Sequence, residues 1–269
     1  MKRQGASLIE MILVFFILSI LLSLLLVAIS NARSLAAQLK LKNQIRQIGI
    51  AVALVESERQ KLPEQHEANS CLMLVLLPKL GINPKTLQND FVGVYMSDLD
   101  PSFAYYPIRD TLFPGNTSFA FNSLVFGKSS VLPGITDGTS GTVMCSERYA
   151  RCGIFANIVW NMNDLGCVDN SPVSNYRSRN ATFSDRTYDD ILPVYNPASR
   201  TSLPSIPGMT FQVAPRPDQC DSRVVQASTR SGLVIGMMDG SVRTLSPSID
   251  PAVYWSSMTP DKGEVVNLD

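Results

Sequence analysis

The chain has 269 residues, and once its apolar N-terminal run is set apart about 200 remain, the size of one soluble domain. Lysine plus arginine and aspartate plus glutamate balance at 23 each, so no global field selects nucleic acid or an acidic substrate. Five cysteines (71, 145, 152, 167 and 220) include no CxxC pair, which argues against a zinc knuckle or a thioredoxin-like motif and leaves disulfides open outside the cytoplasm, with at least one thiol over.

The first element in chain order is a membrane segment. From Met11 to Ile29, 17 of 19 residues are apolar, the exceptions being Ser19 and Ser23. At about 1.5 Å per residue such a helix covers the hydrocarbon core of a bilayer. Two plainer readings compete. A cleaved secretory signal has a basic start in Met1-Lys2-Arg3 and a small-x-small site at Ala28-Ile29-Ser30, but its apolar core runs only about 7 to 15 residues. A simple anchor leaves Glu10 unexplained, since a carboxylate near lipid persists by snorkelling to water or by finding a partner.

Lys2-Arg3, then Gly5, then an apolar helix with glutamate five positions after the glycine, resembles the class III signal of type IV prepilins and pseudopilins. The resemblance implies cleavage between Gly5 and Ala6 by a membrane prepilin peptidase that also N-methylates the new terminus. It further implies a bacterial inner-membrane location, with the N-terminus cytoplasmic, a single pass and the remaining chain exported. Glu10 becomes the fifth mature residue, whose carboxylate meets the cationic N-terminus of a neighbouring pilin-like subunit and sets register. Ala6 stands where the family usually has phenylalanine, a departure that bears on methylation. Basic residues flank the span on both sides, Arg33, Lys40, Lys42 and Arg46 following it, so orientation rests on this resemblance.

Beyond the membrane the same helix continues. No proline precedes Pro63, and Leu41, Ile45, Ile48, Val52 and Val55 recur at steps of four and three, one helical face. Lys40, Lys42, Asn43, Gln44, Arg46 and Gln47 fill much of the remainder. The reading is a leader over 1–5, a transmembrane and assembly half over 6–29, and an amphipathic half over 30–61 whose stripe is expected to lie against a sheet. Pro63 stops it.

A globular region over 62–269 follows. "CLMLVLLPKLGI" reads as a helix or buried strand, with Cys71 expected as the unpaired core thiol. "FVGVYM", "FAYY", "SFAFNSLVF", "TVMC" and "IFANIVW" read as short strands of an antiparallel sheet with long loops. Prolines 193, 197, 204, 207, 215 and 217 mark an irregular loop draped over the domain. "SGLVIGMMDGSVRTLS" predicts a hairpin over about 232–245, turning through Asp239-Gly240 in a two-residue type I′ turn.

Four blocks narrow the resemblance to the prepilin-like family described as domain of unknown function 1559. They are "NQIRQIGIAVALVESERQKLPE", "ITDGTSGT" with Asp137, Gly138, Thr139 and Ser140, "GLVIGMMDGSV", and "VYWSSMTPDKGEVV". The expected fold is therefore α+β and pilin-like, a long helix packed on a mainly antiparallel sheet. The family's His-x9-Asp-Gly signature has Thr229 in place of histidine here, and Val27 stands where the membrane helix usually carries proline.

Catalytic constellations are weak. His66, the single histidine, lies in polar "EQHEANS" and reads as a solvated side chain. There is no G-x-S-x-G elbow, Walker A sequence or H-E-x-x-H, and Ser140 misses the elbow spacing. The pairs Asp98/Asp100, Asp189/Asp190 and Asp218/Asp221 read as turn formers. Asn161, Asn163, Asp164, Asp169 and Asn170 offer oxygen ligands for calcium but lack EF-hand spacing, so no metal or other cofactor is expected. The expected function is a non-catalytic pilin-like subunit of a pilus-like or type II secretion-like filament, with the peptidase, other subunits and the bilayer as partners and no nucleic acid. The alternative is a membrane-anchored extracytoplasmic binding protein that does not polymerise, with its site between Cys152 and Pro217. An anchored hydrolase ranks last.

Overall fold

The computed structural model describes residues 8–64, 66–67, 70–83, 93–105, 116–126, 132–153, 155–158, 177–184, 210–222 and 224–261. The chain divides into two compact units, Met1–Lys40 and Leu41–Asp269. Helix α1 (Leu8–Arg59) supplies the described part of the first unit and opens the second. It ends where Gln60 turns to a positive φ of 54°, three residues ahead of Pro63.

Within Leu41–Arg59 the inward face of α1 consists of Leu41, Gln44, Ile45, Ile48, Gly49, Ala51, Val52 and Val55. All five members of the sequence stripe are buried. Gln44, read from the sequence as part of the polar remainder, is buried with them because its Nε2 donates to the carbonyls of Gly93 and Met96, at 3.2 and 2.7 Å.

After the helix, β1 (His66–Glu67) pairs antiparallel with β2 (Ser70–Cys71). The apolar run that follows is helical, α2 (Leu72–Leu76) continuing into a 3-10 turn at Leu77–Leu80 that Gly81 closes at φ 75°. Two expected strands are instead helical turns. Gly93–Tyr95, inside "FVGVYM", is a 3-10 turn, and Phe103 to Tyr105 of "FAYY" belong to α3 (Ser102–Tyr105). Asp100-Pro101 explains the second case. The Asp100 Oδ1 accepts from Ser102 N at 2.9 Å and proline presets the first helical φ, a helix start that short-range alternation hides. "SFAFNSLVF" is half right, with β3 (Phe119–Asn122) running directly into α4 (Ser123–Phe126).

Strands β4 (Val143–Glu147), β5 (Arg151–Cys152) and β6 (Phe155–Ile158) follow, the first and third as read from the sequence. Next come β7 (Arg177–Asn180), β8 (Thr182–Phe183), β9 (Gln212–Val213) and β10 (Gln226–Ala227). The chain continues through β11 (Leu233–Met237), β12 (Val242–Leu245) and α5 (Pro251–Ser256). The main sheet has the order β12-β11-β4-β3-β8, antiparallel except where β3 pairs parallel with β8. A three-stranded sheet, β5-β6-β7, includes a second parallel pair. The fold class is α+β, with a mixed, mostly antiparallel sheet.

Both faces of the main sheet are covered. On one, Phe119, Phe121, Met144, Cys145 and Val234 join the buried stripe of α1 and Leu72, Met73, Leu76 and Leu77. On the other, Ala120, Val143, Leu233, Ile235 and Met237 meet Phe211, Tyr254 and Met258. This second layer explains why β11 is buried at every position, where a strand with one wet face alternates. Tyr254 reaches it from α5, which Asp250 starts by accepting from Ala252 N and Val253 N at 2.8 and 3.3 Å ahead of Pro251.

Candidate functional site

Two regions hold the residues that the sequence singled out. The first is the N-terminal stretch of α1. Glu10 lies in its first turn, where a carboxylate is favoured by the partial positive charge of the helix start. Ser19 and Ser23 return their hydroxyls to the carbonyls of Phe16 and Ile20, at 2.8 and 2.7 Å, so neither presents an unpaired donor to an apolar surrounding. From Leu8 to Ile29 the large apolar side chains are 40% to 76% exposed, and none is shielded by the chain itself. By length and composition this one helix is able to cross a membrane. An apolar surface of that extent marks a lipid or protein contact in a folded chain. Gly5 and Ala6 lie outside the described residues.

The second region is the end of the sheet at the β11–β12 turn. The hairpin forms as expected, pairing Leu233 with Leu245 and Gly236 with Val242, but its turn differs. Met237 N donates to Ser241 O at 2.9 Å and Gly240 N to Met237 O at 3.0 Å, so three residues, Met238 to Gly240, make the loop. Only Gly240 is left-handed, at φ 81°, whereas a type I′ turn needs Asp239 there too. Asp239 instead accepts Ser241 N on its Oδ1 at 2.8 Å, a side-chain bond that fixes the same reversal.

Sequence blocks far apart in the chain converge on this turn. Asp239 N donates to Thr139 O and Met238 N to Thr142 O, each at 3.0 Å. The Asp137-Gly138-Thr139-Ser140 loop is closed on itself by Gly141 N to Gly138 O at 3.1 Å, with Gly138 at φ 83°. Asp137 N donates to Pro260 O at 3.3 Å, bringing in the stretch after α5. A Cβ on Gly49 of α1 would sit 3.6 Å from Gly240 Cα. The Asp-Gly-Thr-Ser loop, the hairpin turn and the C-terminal stretch therefore meet through backbone hydrogen bonds, with Gly49 of α1 close beside the turn. Thr229 lies at the opposite end of β11, in an exposed hydroxyl pair with Ser231 at 2.6 Å.

The remaining candidates are dispersed. Asp100 is buried and Asp98 exposed, so they do not share an environment. Asp218 is held by Arg216 through two bonds of 3.2 and 3.1 Å, while Asp221 N donates to Gln212 Oε1. Asp189, Asp190 and the five oxygen-bearing residues between 161 and 170 lie outside the described residues, as does Cys167. Among the described residues no group of three histidine, cysteine or acidic side chains could hold a metal ion. Cys152 and Cys220 form a disulfide. A buried free thiol is Cys145, which burial pushes up to about 12, so it is a core residue; the side chain of Cys71, expected in that role, lies outside the described residues.

Sequence reasoning missed the buried polar groups beside β4. Arg148 is fully buried and donates to the carbonyls of Thr182 and Ser222. Glu147 accepts Val234 N and Ser228 N. "CSERYARC" signals them only as charges close to a strand, which is the pattern of an exposed edge. Comparison with protein-family models, with curated proteins and with solved structures finds no match to this chain.

Proposed function

We propose that this chain is a non-catalytic, prepilin-like or pseudopilin-like subunit, cut between Gly5 and Ala6 and assembled into a pilus-like or type II secretion-like filament. The observation that carries the reading is the exposed apolar surface of α1 from Leu8 to Ile29, led by one carboxylate in the first turn. Such a helix is stable in lipid and equally stable among copies of itself. Lipid is as apolar as a helix bundle, so burial alone gives little drive, and side-chain packing plus pairing of Glu10 with a neighbour's amine selects the register. The disulfide between Cys152 and Cys220 supports an oxidising, extracytoplasmic setting for Leu41–Asp269. Amphipathic helix against mostly antiparallel sheet is also the arrangement a pilin-like subunit needs, because the helix then serves both anchor and domain.

The test is expression of the full chain with a prepilin peptidase, followed by mass spectrometry and filament shearing. The mature N-terminus is expected at Ala6; Met1 would instead indicate a plain anchor and a start near Asn31 a secreted protein. Glu10→Ala is expected to keep cleavage and membrane insertion but to lose incorporation into the sheared fraction. Normal incorporation overturns the register role. A processed wild-type protein absent from every filament fraction points to the anchored binding protein.

A further inference from the structure

The two edges of the main sheet are finished differently. At β8 the Phe121 N–H goes to the carbonyl of Ala181, so the Thr182 carbonyl points away from β3, and the buried Arg148 guanidinium caps it. The other edge is β12, and its register on β11 shows which backbone groups face outward. Met237 N donates to Ser241 O, so the bonded pairs of this antiparallel ladder continue at Ile235 with Arg243 and at Leu233 with Leu245. Val242 and Thr244, which alternate with them, direct their N–H and C=O groups away from β11. Among the described residues no strand lies beyond β12, and these outward groups make no hydrogen bond.

The side chains of β12 follow the pleat. Val242 packs against the α1 side of the sheet, and Thr244 shares its face opposite Val234. Arg243 stands opposite Ile235, on the α5 side, half-buried and with no hydrogen bond or ion pair among the described residues. Arg230 is exposed at the far end of the strand, two residues before Gly232, which abuts the Leu245 carbonyl. At the turn end, the Asp239 carboxylate already accepts Ser241 N. The open edge is therefore cationic where its outward groups lie.

A second copy of β12 does not suit it. Full antiparallel overlap would pair Val242 with Thr244 of the copy and set Arg243 directly opposite Arg243, like charges at the closest cross-strand spacing. Head-to-tail addition through β8 is stopped by the Arg148 cap. We propose that β12 takes up one extended segment of another protein, antiparallel, with an acidic side chain opposite Arg243 and β-branched side chains on either side of it. The residues flanking the acid exchange backbone bonds with Val242 and Thr244, and the acid pairs with the guanidinium. This docking does not depend on filament assembly.

Amide hydrogen exchange on the full chain in detergent micelles, with and without the blocked peptide acetyl-Thr-Thr-Val-Glu-Val-Thr-Thr-amide, tests it. At saturation the Val242 and Thr244 amides are expected to gain at least about tenfold in protection, while the Arg243 amide, already bonded in the ladder, changes little. A peptide with lysine in place of glutamate is expected to bind about fivefold more weakly, and Arg243→Glu to reverse that preference. N-methylation of both valines removes the donors that face β12 and is expected to abolish binding. Absence of added protection, as for an arginine that only guards the edge, overturns the proposal. So does equal binding of the glutamate and lysine peptides, or binding of the N-methylated one. Protection of both amides before any peptide is added places a second copy on the edge and overturns it too. If Arg243→Glu does not fold, the lysine and N-methylated peptides on the wild type decide.

Discussion

At Gly236 the absence of a side chain sets how closely α1 lies on the sheet. A Cβ there would stand 2.7 Å from the Ile45 side chain and 3.0 Å from the Cys145 sulfur. Both neighbours are fully buried, so neither can swing away into solvent. Gly236→Ala is therefore expected to destabilise the protein by about 1 to 3 kcal/mol, the usual cost of overpacking, read as a lower urea midpoint at unchanged slope. Within "LVIGMMDG" this glycine is legible only as a strand residue. That it faces Ile45, across some 190 positions of sequence, is a fact of packing. Glu147 is similar: in "CSERYARC" it reads as a solvated charge, and only the arrival of Ser228 and Val234 makes it an acceptor inside the protein. Residues whose signal is local were readable. Gly240 is one, because a left-handed φ beside an aspartate is a property of the turn itself.

Among elements, those with a long repeating pattern matched expectation and the shortest did not. The α1 stripe, sampled over four turns, named five buried residues correctly. The hairpin strands were equally clear, while the turn type was not, because two-residue and three-residue loops both accept Asp-Gly and the register of β11 on β12 chooses between them. Alternation over four residues failed at "FAYY", where the Asp-Pro start favours a helical turn; the same dipeptide starts α5, which the sequence reading passed over. The pairing of Cys152 with Cys220 links β5 to the segment after β9 across 68 residues. Gly153 N donates to Pro217 O beside it, at 2.7 Å, so the link has a second, noncovalent contact. Cys220→Ser is expected to cost about 2 to 5 kcal/mol, the range for loss of a native bridge, since the unfolded chain regains the freedom of a long loop. Thermal unfolding of the variant and of the reduced wild type should show the same loss; a transition unchanged in both would mean the bridge constrains nothing.

For the whole molecule, one helix carries two different surfaces, exposed and apolar over Leu8–Ile29 and half buried over Leu41–Arg59. The apolar side chains of Leu8–Ile29 stand exposed, on a helix long and apolar enough to cross a membrane, while Leu41–Asp269 has its own core on both sides of the sheet. A chain beginning at Leu41 is expected to stay in solution without detergent and to unfold in one cooperative transition, checked by size-exclusion chromatography and circular dichroism. Aggregation of that chain would show that the core needs the preceding residues. The sequence by itself determined the apolar span, its single carboxylate, the amphipathic stripe and the position of the hairpin, because each is written in neighbours within a few turns or one strand pair. Tertiary structure alone decided the strand order with its parallel β3–β8 pair, the second layer that buries β11 on both faces, the meeting of the Asp137–Ser140 loop with the Asp239–Gly240 turn, and the enclosure of Glu147 and Asp100. The physical reason is the same throughout. Burial and backbone pairing depend on which distant segments arrive, and a side chain's chemistry follows from the water those segments remove.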